Sequence, residues 1–438
     1  MTDAADTVPG DPATDTVPRN PADGAVRSLA STGMAGVAHR RRTPAPGGVA
    51  RVWAGWQRPV VIALATTTVL RVATELVALV AHYGVVFPHV VARQPGVLSG
   101  VWNAWDTGYY LTIAQHGYAA SHAAAVPKFI AFAPLYPALV AATHVVTGAG
   151  WVVSGQLVSA AATVAAIAGL VHLTTPDQGV SRSGTTVMLL VAFPTAFFLL
   201  VDYPESLALA LVVWSWIAVR SEHWVVAGIV AACAAMTKYY LVIVAVALLV
   251  EVWRAREPRQ PTSPLGVTRH DLARATAVVF PSVAAVVAWM VVCQRLYGDP
   301  LAFVHVQGEW GRKFAFPWTL AATTAGDLIH LRFLDTSVAS VMELFDTVTV
   351  SLVAVATVVA WVRVRTSYAV LLGLALCTFT FQTILYSETR EVLTLFPFFI
   401  VLSRWVDGHP WRERFLLACF LPSAYFLTSR FVTGKFAG

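Results

Sequence analysis

Ionisable residues that could do acid–base or anion-binding chemistry come from five separate parts of this chain. Carboxylates can accept protons and orient hydroxyl groups, while lysine and arginine can hold an anionic group through charge-assisted hydrogen bonds. The membrane topology that the sequence implies brings these residues to one side of a bilayer or close to it. They are Asp106, Asp202, Glu205, Lys238, His305, Glu309, Arg312, Glu388 and Arg390. Convergence of this kind is what an active site on that side would require.

Asp106 has the most distinctive surroundings of the set. It is the only carboxylate between Glu75 and Asp177, and it lies in an aromatic-rich run that begins at Trp102. At three- and four-residue spacing, the aromatic residues of 102–113 form one helical stripe. Trp and Tyr favour the headgroup level of a bilayer, so we expect a helix along the membrane surface. Asp106 is then either a solvated or capping residue of an aromatic anchor, or a functional carboxylate.

The composition predicts an all-α polytopic membrane protein. The chain of 438 residues is 57% hydrophobic and only 12% charged, whereas a soluble domain carries roughly 25% charged residues. Uncharged stretches such as 129–176 match the roughly 20-residue segments that a bilayer requires. The formal charge of +6 comes from short basic clusters beside apolar segments, which is typical of cytoplasmic loops and not of a nucleic-acid surface. The four cysteines form no CxxC pair, so neither a disulfide framework nor a zinc site is indicated.

Basic clusters are expected on the cytoplasmic side, so they fix which loops share a side of the membrane. On this basis the sequence predicts about eleven spans. Arg220 falls on the cytoplasmic side only if 129–147, which contains Pro134 and Pro137, is a juxtamembrane or re-entrant helix. The block 224–253 must then cross twice, with a bend or break around Lys238, because one helix would be about 45 Å long in a core of about 30 Å. The expected spans are 59–80, 151–173, 185–201, 205–219, two in 224–253, 275–294, 338–361, 367–386, 392–403 and 414–432.

The N-terminal segment differs from the rest of the chain. Residues 1–57 are rich in Ala, Pro, Gly, Thr and Asp, and they include the run Arg40-Arg41-Arg42. Low hydrophobicity predicts a disordered tail, and arginines before the first span place it in the cytoplasm. Residues 58–438 are expected to form the membrane domain.

Five motifs in order resemble those of the PIG-V-like mannosyltransferases, which are GT-C fold enzymes that take mannose from a polyprenyl-phosphate carrier. The resemblance covers essentially all of the chain from Pro59 onward, and Arg71 resembles an arginine of the family's first span. The motifs are WDTGYYLTIAQHGY at 105–118, FAPLYP at 132–137, FPTAFF with YPES at 193–206, GDPLAF with the following Gln, Trp and Arg at 298–312, and the arginine before FP at 390–397.

The resemblance implies a role for each candidate residue. Asp106 would be the general base, and Lys238, Arg312 and Arg390 would hold the donor phosphate. Tyr203 and Glu205 would orient substrate hydroxyls, while Gln307 and Trp310 would recognise a sugar by hydrogen bonding and ring stacking. Further substrate contacts would come from Trp105, Tyr109 and Tyr110, and from His116 and His305 as possible second acid–base groups. Structural alternatives are snorkelling cations, a helix-start carboxylate at Glu205 and ordinary interfacial aromatics.

Two positions depart from the family pattern. Lys238 stands where an arginine is expected, which keeps a cation but loses the bidentate fork. Glu391 replaces the tyrosine usual after the final arginine, and so puts a carboxylate beside the expected phosphate site. Both departures bear on the choice of donor and acceptor.

The expected function is therefore inverting mannosyl transfer, with partners that are a polyprenyl-phosphate-linked sugar, a glycolipid, glycan or protein acceptor, and membrane lipids. No cofactor or metal is expected, since the chain has neither a nucleotide-binding glycine motif nor a metal-ligand cluster beyond the spacing of Asp202 and Glu205. The expected location is a bacterial-type plasma membrane, or the ER membrane in a eukaryote, with the site facing away from the cytoplasm. Two alternatives stay open: a lipid-linked-sugar flippase or transporter, and a same-fold transferase for another lipid-linked sugar.

Overall fold

The computed structural model describes residues 48–82, 100–118, 128–255, 267–330 and 338–437. Within these ranges the chain forms helices joined by short turns, with no strand and one isolated antiparallel bridge between Phe314 and Gln382. The expectation of an all-α fold is confirmed. The helices are α1 Gly48–His82, α2 Thr107–His116, α3 Leu135–Thr147, α4 Trp151–Ala192, α5 Glu205–Arg220, α6 Trp224–Ala235, α7 Ile243–Arg254, α8 Arg269–Tyr297, α9 Ala302–His305, α10 Pro317–Ile329, α11 Val338–Arg363, α12 Thr366–Thr380, α13 Glu388–Glu391, α14 Phe396–Val406 and α15 Pro410–Val432.

Among the residues that the structure describes, five helices are long and apolar enough to cross a membrane. They lie in α1, α4, α8, α11 and α15, and four shorter helices, α3, α6, α12 and α14, are also apolar. Each of the eleven expected spans coincides with a helical segment when α4 is counted on either side of Gly179, where φ is 77° and the helix is kinked. The second part of α4 ends at Ala192, earlier than the expected residue 201, because Pro194 follows. The number of crossings itself stays a prediction.

Two irregular segments expected from the sequence are present. Residues 129–147 form a 3₁₀ turn and the 13-residue α3, with Pro134 at its N-cap. The block 224–253 is divided into α6 and α7, and Lys238 between them has the extended conformation φ −146°, ψ 118°. The expected break around Lys238 therefore exists, and it frees this side chain from a regular helix surface.

The N-terminal boundary is less simple than expected. The predicted disordered tail lies outside the described residues up to position 47. Helix α1 begins at Gly48, so residues 48–57 of the expected tail are helical.

Helix α4 lies at the centre of the packing. It contacts α1, α3, α5 and α14, and its inward face is rich in small residues. One of them, Gly155, permits the closest approach: a Cβ there would lie 2.0 Å from Oδ1 of Asp202. The segment between α4 and α5, which includes Asp202, can therefore lie directly against α4.

Ion pairs join the helices at the end of the bundle opposite to Lys238. Glu251 of α7 is buried and accepts two hydrogen bonds of 2.6 Å from Arg365, just before α12, and another from Ser367. Arg220 of α5 donates to Asp177 at 2.8 Å. Neither of the two cavities described in the molecule is lined by these residues.

Candidate active site

Asp106 is fixed at the start of α2 by its backbone. Its N–H donates to the hydroxyl of Tyr203 at 3.0 Å, and the preceding Trp105 has a left-handed φ of 57°. Upstream, the indole of buried Trp102 donates to Glu75 of α1 at 3.1 Å. The loop is thus attached to α1 on one side and to the segment before α5 on the other.

The Asp106 side chain forms an ion pair and does not cap its helix. No cap hydrogen bond is made by the side chain, although Asp106 occupies the N-cap position. Its Oδ2 instead accepts from Nη1 of Arg390 at 2.9 Å. Within the described part of the chain no hydrogen bond reaches the other carboxylate oxygen, and the side chain is 25% exposed. Of the two interpretations open from the sequence, the capping role is excluded.

Arg390 is enclosed by aromatic rings and carboxylates. Its guanidinium lies 5.3 Å from the ring of Phe198 and 5.2 Å from the ring of Tyr203. Its Nε lies 3.3 Å from Oε1 of Glu205. Burial alone would lower the pKa of Arg390, but the carboxylates around it, Glu205 first, raise this pKa well above the ordinary value. Arg390 is therefore a permanent cation in the site.

Lys238 forms the second cationic centre. Its Nζ donates to Oε1 of Glu205 at 2.8 Å and to Oε2 of Glu391 at 2.5 Å. Glu205 is fully buried at the first position of α5, and it links the two cations because the same oxygen faces both. Lys238 and Arg390 thus share their carboxylate partners in one network.

A cavity of about 460 Å³ opens onto this network. Seven residues predicted from the sequence line it: Asp106, Tyr110, Lys238, Gln307, Trp310, Arg312 and Arg390. Its apolar wall includes Phe132, Phe303, Phe314 and Phe381. The cavity therefore combines a charged floor with aromatic sides.

Six other predicted residues do not line this cavity. Tyr203 and Glu205 are buried behind it and hold Asp106, Arg390 and Lys238 in place.

Trp105 and Tyr109 pack against aromatic side chains, on Phe436 and Phe132 respectively. His116 is exposed at the far end of α2, nine residues beyond the helix start and hence about 13 Å along the axis. His305 is exposed and contacts Asp299 through Nδ1 at 2.7 Å. The structure therefore does not bring either histidine to the cavity.

Arg312 forms a third cationic position at the cavity wall. It donates to the backbone carbonyl of Tyr386 and lies 3.8 Å from Oε2 of Glu388. Burial raises the pKa of Glu388 to about 8, against the lowering effect of Arg312. Gln382 also donates to Glu388. Arg312 thus belongs to a polar cluster separate from the pair Lys238 and Arg390.

Buried Asp346 of α11 holds the turn that carries Arg390. Its carboxylate accepts the N–H groups of Ser387 and Thr389 at 2.9 and 2.7 Å, and the Thr389 hydroxyl at 2.8 Å. Ser387 has a left-handed φ of 68°, so this turn requires such support. Sequence reasoning missed Asp346, although a carboxylate inside an apolar span was an available signal.

Sequence reasoning also missed several lining residues. Glu391 was noted only as a departure from a family pattern, and Lys313, Gln382 and Tyr386 were not selected at all. Tyr240 lines the cavity and bonds to Thr394 at 2.7 Å. These residues come from turns between apolar segments, where no periodic pattern indicates which side chains point inward.

Metal-ligand geometry is absent from the described residues: no group of three or more His, Cys, Asp or Glu side chains is placed to hold a metal ion there. Asp202, spaced for a shared cation with Glu205, is buried against Gly155, and neither of its oxygens has a hydrogen-bond partner among the described residues. Burial raises the pKa of Asp202 to about 8.

Comparison with known proteins finds similarity only among solved structures. No protein-family model matches the chain, and no curated protein matches it. The apo crystal structure of the Archaeoglobus fulgidus oligosaccharyltransferase is similar with a TM-score of 0.40 and 12% identity, over 85% of this chain and 56% of that chain.

The archaeal oligosaccharyltransferase AglB from the same organism, in complex with an inhibitory peptide and a dolichol-phosphate, gives a TM-score of 0.39 and 12% identity, over 85% of this chain and 56% of that chain. This chain therefore spans little more than half the length of the structures it resembles. A likeness at this level carries no argument about substrate, so the function must be argued from the side chains of the cavity.

Proposed function

We propose that the protein is a GT-C-type glycosyltransferase that moves a sugar from a polyprenyl-phosphate carrier to an acceptor hydroxyl. The observation that carries this proposal is the convergence of the Asp106 carboxylate with Lys238 and Arg390 on one cavity. Asp106, Lys238 and Arg390 are far apart in the sequence, yet all three line this cavity. A base and a cationic pocket are the two components that transfer from a phosphate carrier needs.

The reaction proposed is a single displacement with inversion. The acceptor hydroxyl oxygen forms a bond to the anomeric carbon while the bond from that carbon to the phosphate oxygen breaks. The hydroxyl proton passes to Asp106, and the bond electrons leave with the polyprenyl phosphate, which gains one negative charge. Lys238 and Arg390, with Arg312 at the cavity wall, would stabilise that charge.

A lipid-linked donor suits the walls of the cavity. Phe132, Phe303, Phe314 and Phe381 provide apolar surface beside the cations, within a bundle of membrane-type helices. Gln307 and Trp310 line the same space and offer an amide and an indole for a sugar ring. The sequence has no nucleotide-binding glycine motif, and a polyprenyl-phosphate sugar would need none.

Mannose as the sugar follows from the PIG-V-like resemblance. The cytoplasmic side that the basic clusters indicate supports a site that faces away from the cytoplasm, in a bacterial-type plasma membrane. The acceptor would be a glycolipid, glycan or protein reaching the cavity from that side. A same-fold enzyme for another lipid-linked sugar would use the same base and cations.

Transfer by purified protein tests the proposal. We expect detergent-solubilised wild-type protein to release polyprenyl phosphate from radiolabelled polyprenyl-phosphate mannose and to label membrane lipid extract, with inverted anomeric configuration in the product. Parallel assays with polyprenyl-phosphate glucose and arabinose would identify the sugar. Transport of the donor across proteoliposomes without transfer from any donor would contradict the enzyme and favour the flippase.

A further inference from the structure

Glu391 occupies the space between the two cations of the site. Its Oε2 accepts from Nζ of Lys238 at 2.5 Å, and its Oε1 lies 3.9 Å from Nη2 of Arg390. The side chain is 13% exposed and lines the cavity. A carboxylate presents a negative charge and two oxygens on one face, as a phosphate group does. Glu391 therefore stands where an incoming anion would find both cations.

The backbone of Glu391 is held firmly, so only its side chain can move aside. The N–H groups of Arg390 and Glu391 both donate to the carbonyl of Ser387, at 3.1 and 3.3 Å. The hydroxyl of Tyr240 lies 3.4 Å from the carbonyl of Glu391 and also bonds to Thr394. The side chain, with three rotatable bonds, can leave Lys238 without disturbing this turn.

The two inner cations are already neutralised while Glu391 stays in place. Lys238 and Arg390 supply two positive charges to this network, and Asp106, Glu205 and Glu391 supply three negative ones, while Arg312 and Lys313 add positive charge at the cavity wall. Asp106 and Glu205 have other contacts to keep: Asp106 is the proposed base, and Glu205 is fully buried beneath both cations. Glu391 is the carboxylate that can be displaced.

We infer that Glu391 is a resident counter-ion of the donor-phosphate site, which the phosphate displaces from Lys238 and Arg390 when it binds. The inference rests on the proposed function and deepens it, because it makes Glu391 a determinant of donor affinity. Glu391 would weaken binding of the intact donor, and its return to Lys238 would help to expel the spent carrier.

Protonation of Glu391 should assist the exchange. Burial would raise the pKa of Glu391, but Lys238 and then Arg390 hold it below its ordinary value. Glu205, Arg312 and the Tyr240 hydroxyl also face this carboxylate. Since protonation removes the competing charge and the pKa of Glu391 lies below its ordinary 4.5, wild-type affinity for a phosphodiester should rise as the pH falls below 4.5.

Binding of farnesyl methyl phosphodiester to the full-length protein in detergent tests the inference without any transfer step. The single charge of this phosphodiester does not titrate near neutral pH or in the acidic range where Glu391 becomes protonated. We expect Glu391→Gln to bind it about tenfold more tightly than wild type, the order of effect of freeing one charge-assisted hydrogen-bond donor. The pH dependence seen in wild type should be lost in the variant.

Glu309→Gln is the matched control, because it removes one exposed carboxylate that faces Lys128 and does not line the cavity. It should change the dissociation constant by less than about twofold. In a Lys238→Met background, Glu391→Gln should lose most of its effect. Thermal unfolding of each variant establishes that it is folded.

The inference would be overturned if folded Glu391→Gln bound the probe no more tightly than wild type. If Lys238→Met also bound the probe more weakly than wild type, the proposed phosphate site would still be supported. Absence of binding by both wild type and Glu391→Gln would overturn the phosphate site and the inference together.

Discussion

At the residue scale, the contact between Asp106 and Arg390 joins the proposed base to the proposed phosphate-binding cation. The 2.9 Å ion pair holds the Asp106 carboxylate beside the Arg390 guanidinium at the cavity. In the proposed transfer, the negative charge that grows on the leaving phosphate would attract the guanidinium. Asp106 would then be released from Arg390 and could accept the proton of the acceptor hydroxyl. Under this proposal one arginine would couple the base to phosphate binding.

Glu388 provides a pH test at the same scale. Burial raises its pKa from 4.5 to about 8, so the folded protein binds this proton more tightly than the unfolded chain does. Protonation therefore stabilises the fold, and the contribution is full below pH 4.5 and is lost as the pH rises to about 8. We expect the thermal midpoint in detergent to fall across this window, and Glu388→Gln to reduce the fall.

Glu309→Gln serves as its control, since Glu309 is exposed and should leave the slope unchanged. Asp202, whose pKa is also raised to about 8, acts in the same direction, so Glu388→Gln removes only part of the slope. If the thermal midpoint fell with pH equally in wild type and Glu388→Gln, the raised pKa assigned to Glu388 would be contradicted.

At the scale of elements, the charged side chains of the cavity network occupy the places where helices begin, end or break. Asp106 precedes α2, Glu205 begins α5, and Lys238 lies in the gap between α6 and α7. Arg390 sits in the short α13, which Asp346 supports from α11. Helix ends can turn charged side chains toward a common cavity, while the apolar helix faces pack against one another or remain available to lipid.

The contact of α4 with the segment before α5 yields an element-scale prediction. In Gly155→Ala the new Cβ would lie 2.0 Å from Oδ1 of buried Asp202, so the Asp202 side chain, α4 or this segment must shift. Tyr203, which follows Asp202, holds the backbone of Asp106. We therefore expect a lower thermal midpoint and a lower transfer rate for Gly155→Ala.

Gly184→Ala on the same helix is the matched control, because nothing lies within 4 Å of a Cβ there. It should be neutral or slightly stabilising, as expected for alanine in a helix. Equal behaviour of the two variants would show that α4 and Asp202 are not in close contact.

At the scale of the whole molecule, charged networks lie at opposite ends of the bundle and differ in what surrounds them. The network of Lys238 and Arg390 opens onto a cavity, whereas the pair of Glu251 and Arg365 lines neither described cavity. The first arrangement suits binding and chemistry. The second ties α7 to α12 and suits stability.

Glu251→Gln separates these roles. It leaves Arg365 without its carboxylate partner, a change that costs roughly 3–5 kcal/mol in a fully buried pair and less here, because Arg365 is 24% exposed. We expect a clearly lower thermal midpoint, with transfer per folded molecule within about twofold of wild type. Glu222→Gln, an exposed change at the same end, should alter neither quantity. A selective loss of transfer in Glu251→Gln at unchanged stability would contradict this division.

The fold could be predicted further than the site. Long apolar segments and basic clusters sufficed for the helices, and a length argument predicted the break at Lys238. Asp106, Lys238 and Arg390, which were selected from the sequence, line one cavity, and their roles stay predictions. Their mutual contacts follow from turns such as the one at Ser387, which carries no periodic signal. His116 and His305 were selected by residue type alone, and tertiary packing places both away from the cavity. Asp346 and Glu391 act through partners distant in sequence, which one chain without its fold does not reveal.

The most direct test of the account compares transfer by Asp106→Asn and Asp299→Asn in matched membranes with radiolabelled polyprenyl-phosphate mannose. Both variants make the same chemical change, but Asp299 lies outside the cavity and contacts His305. We expect Asp106→Asn to lose about 10²–10⁴-fold in transfer rate, the usual contribution of a general base. The variants are compared at equal protein level and thermal midpoint, and Asp299→Asn should retain activity. Equal transfer by Asp106→Asn and wild type would remove Asp106 from the mechanism and contradict the account.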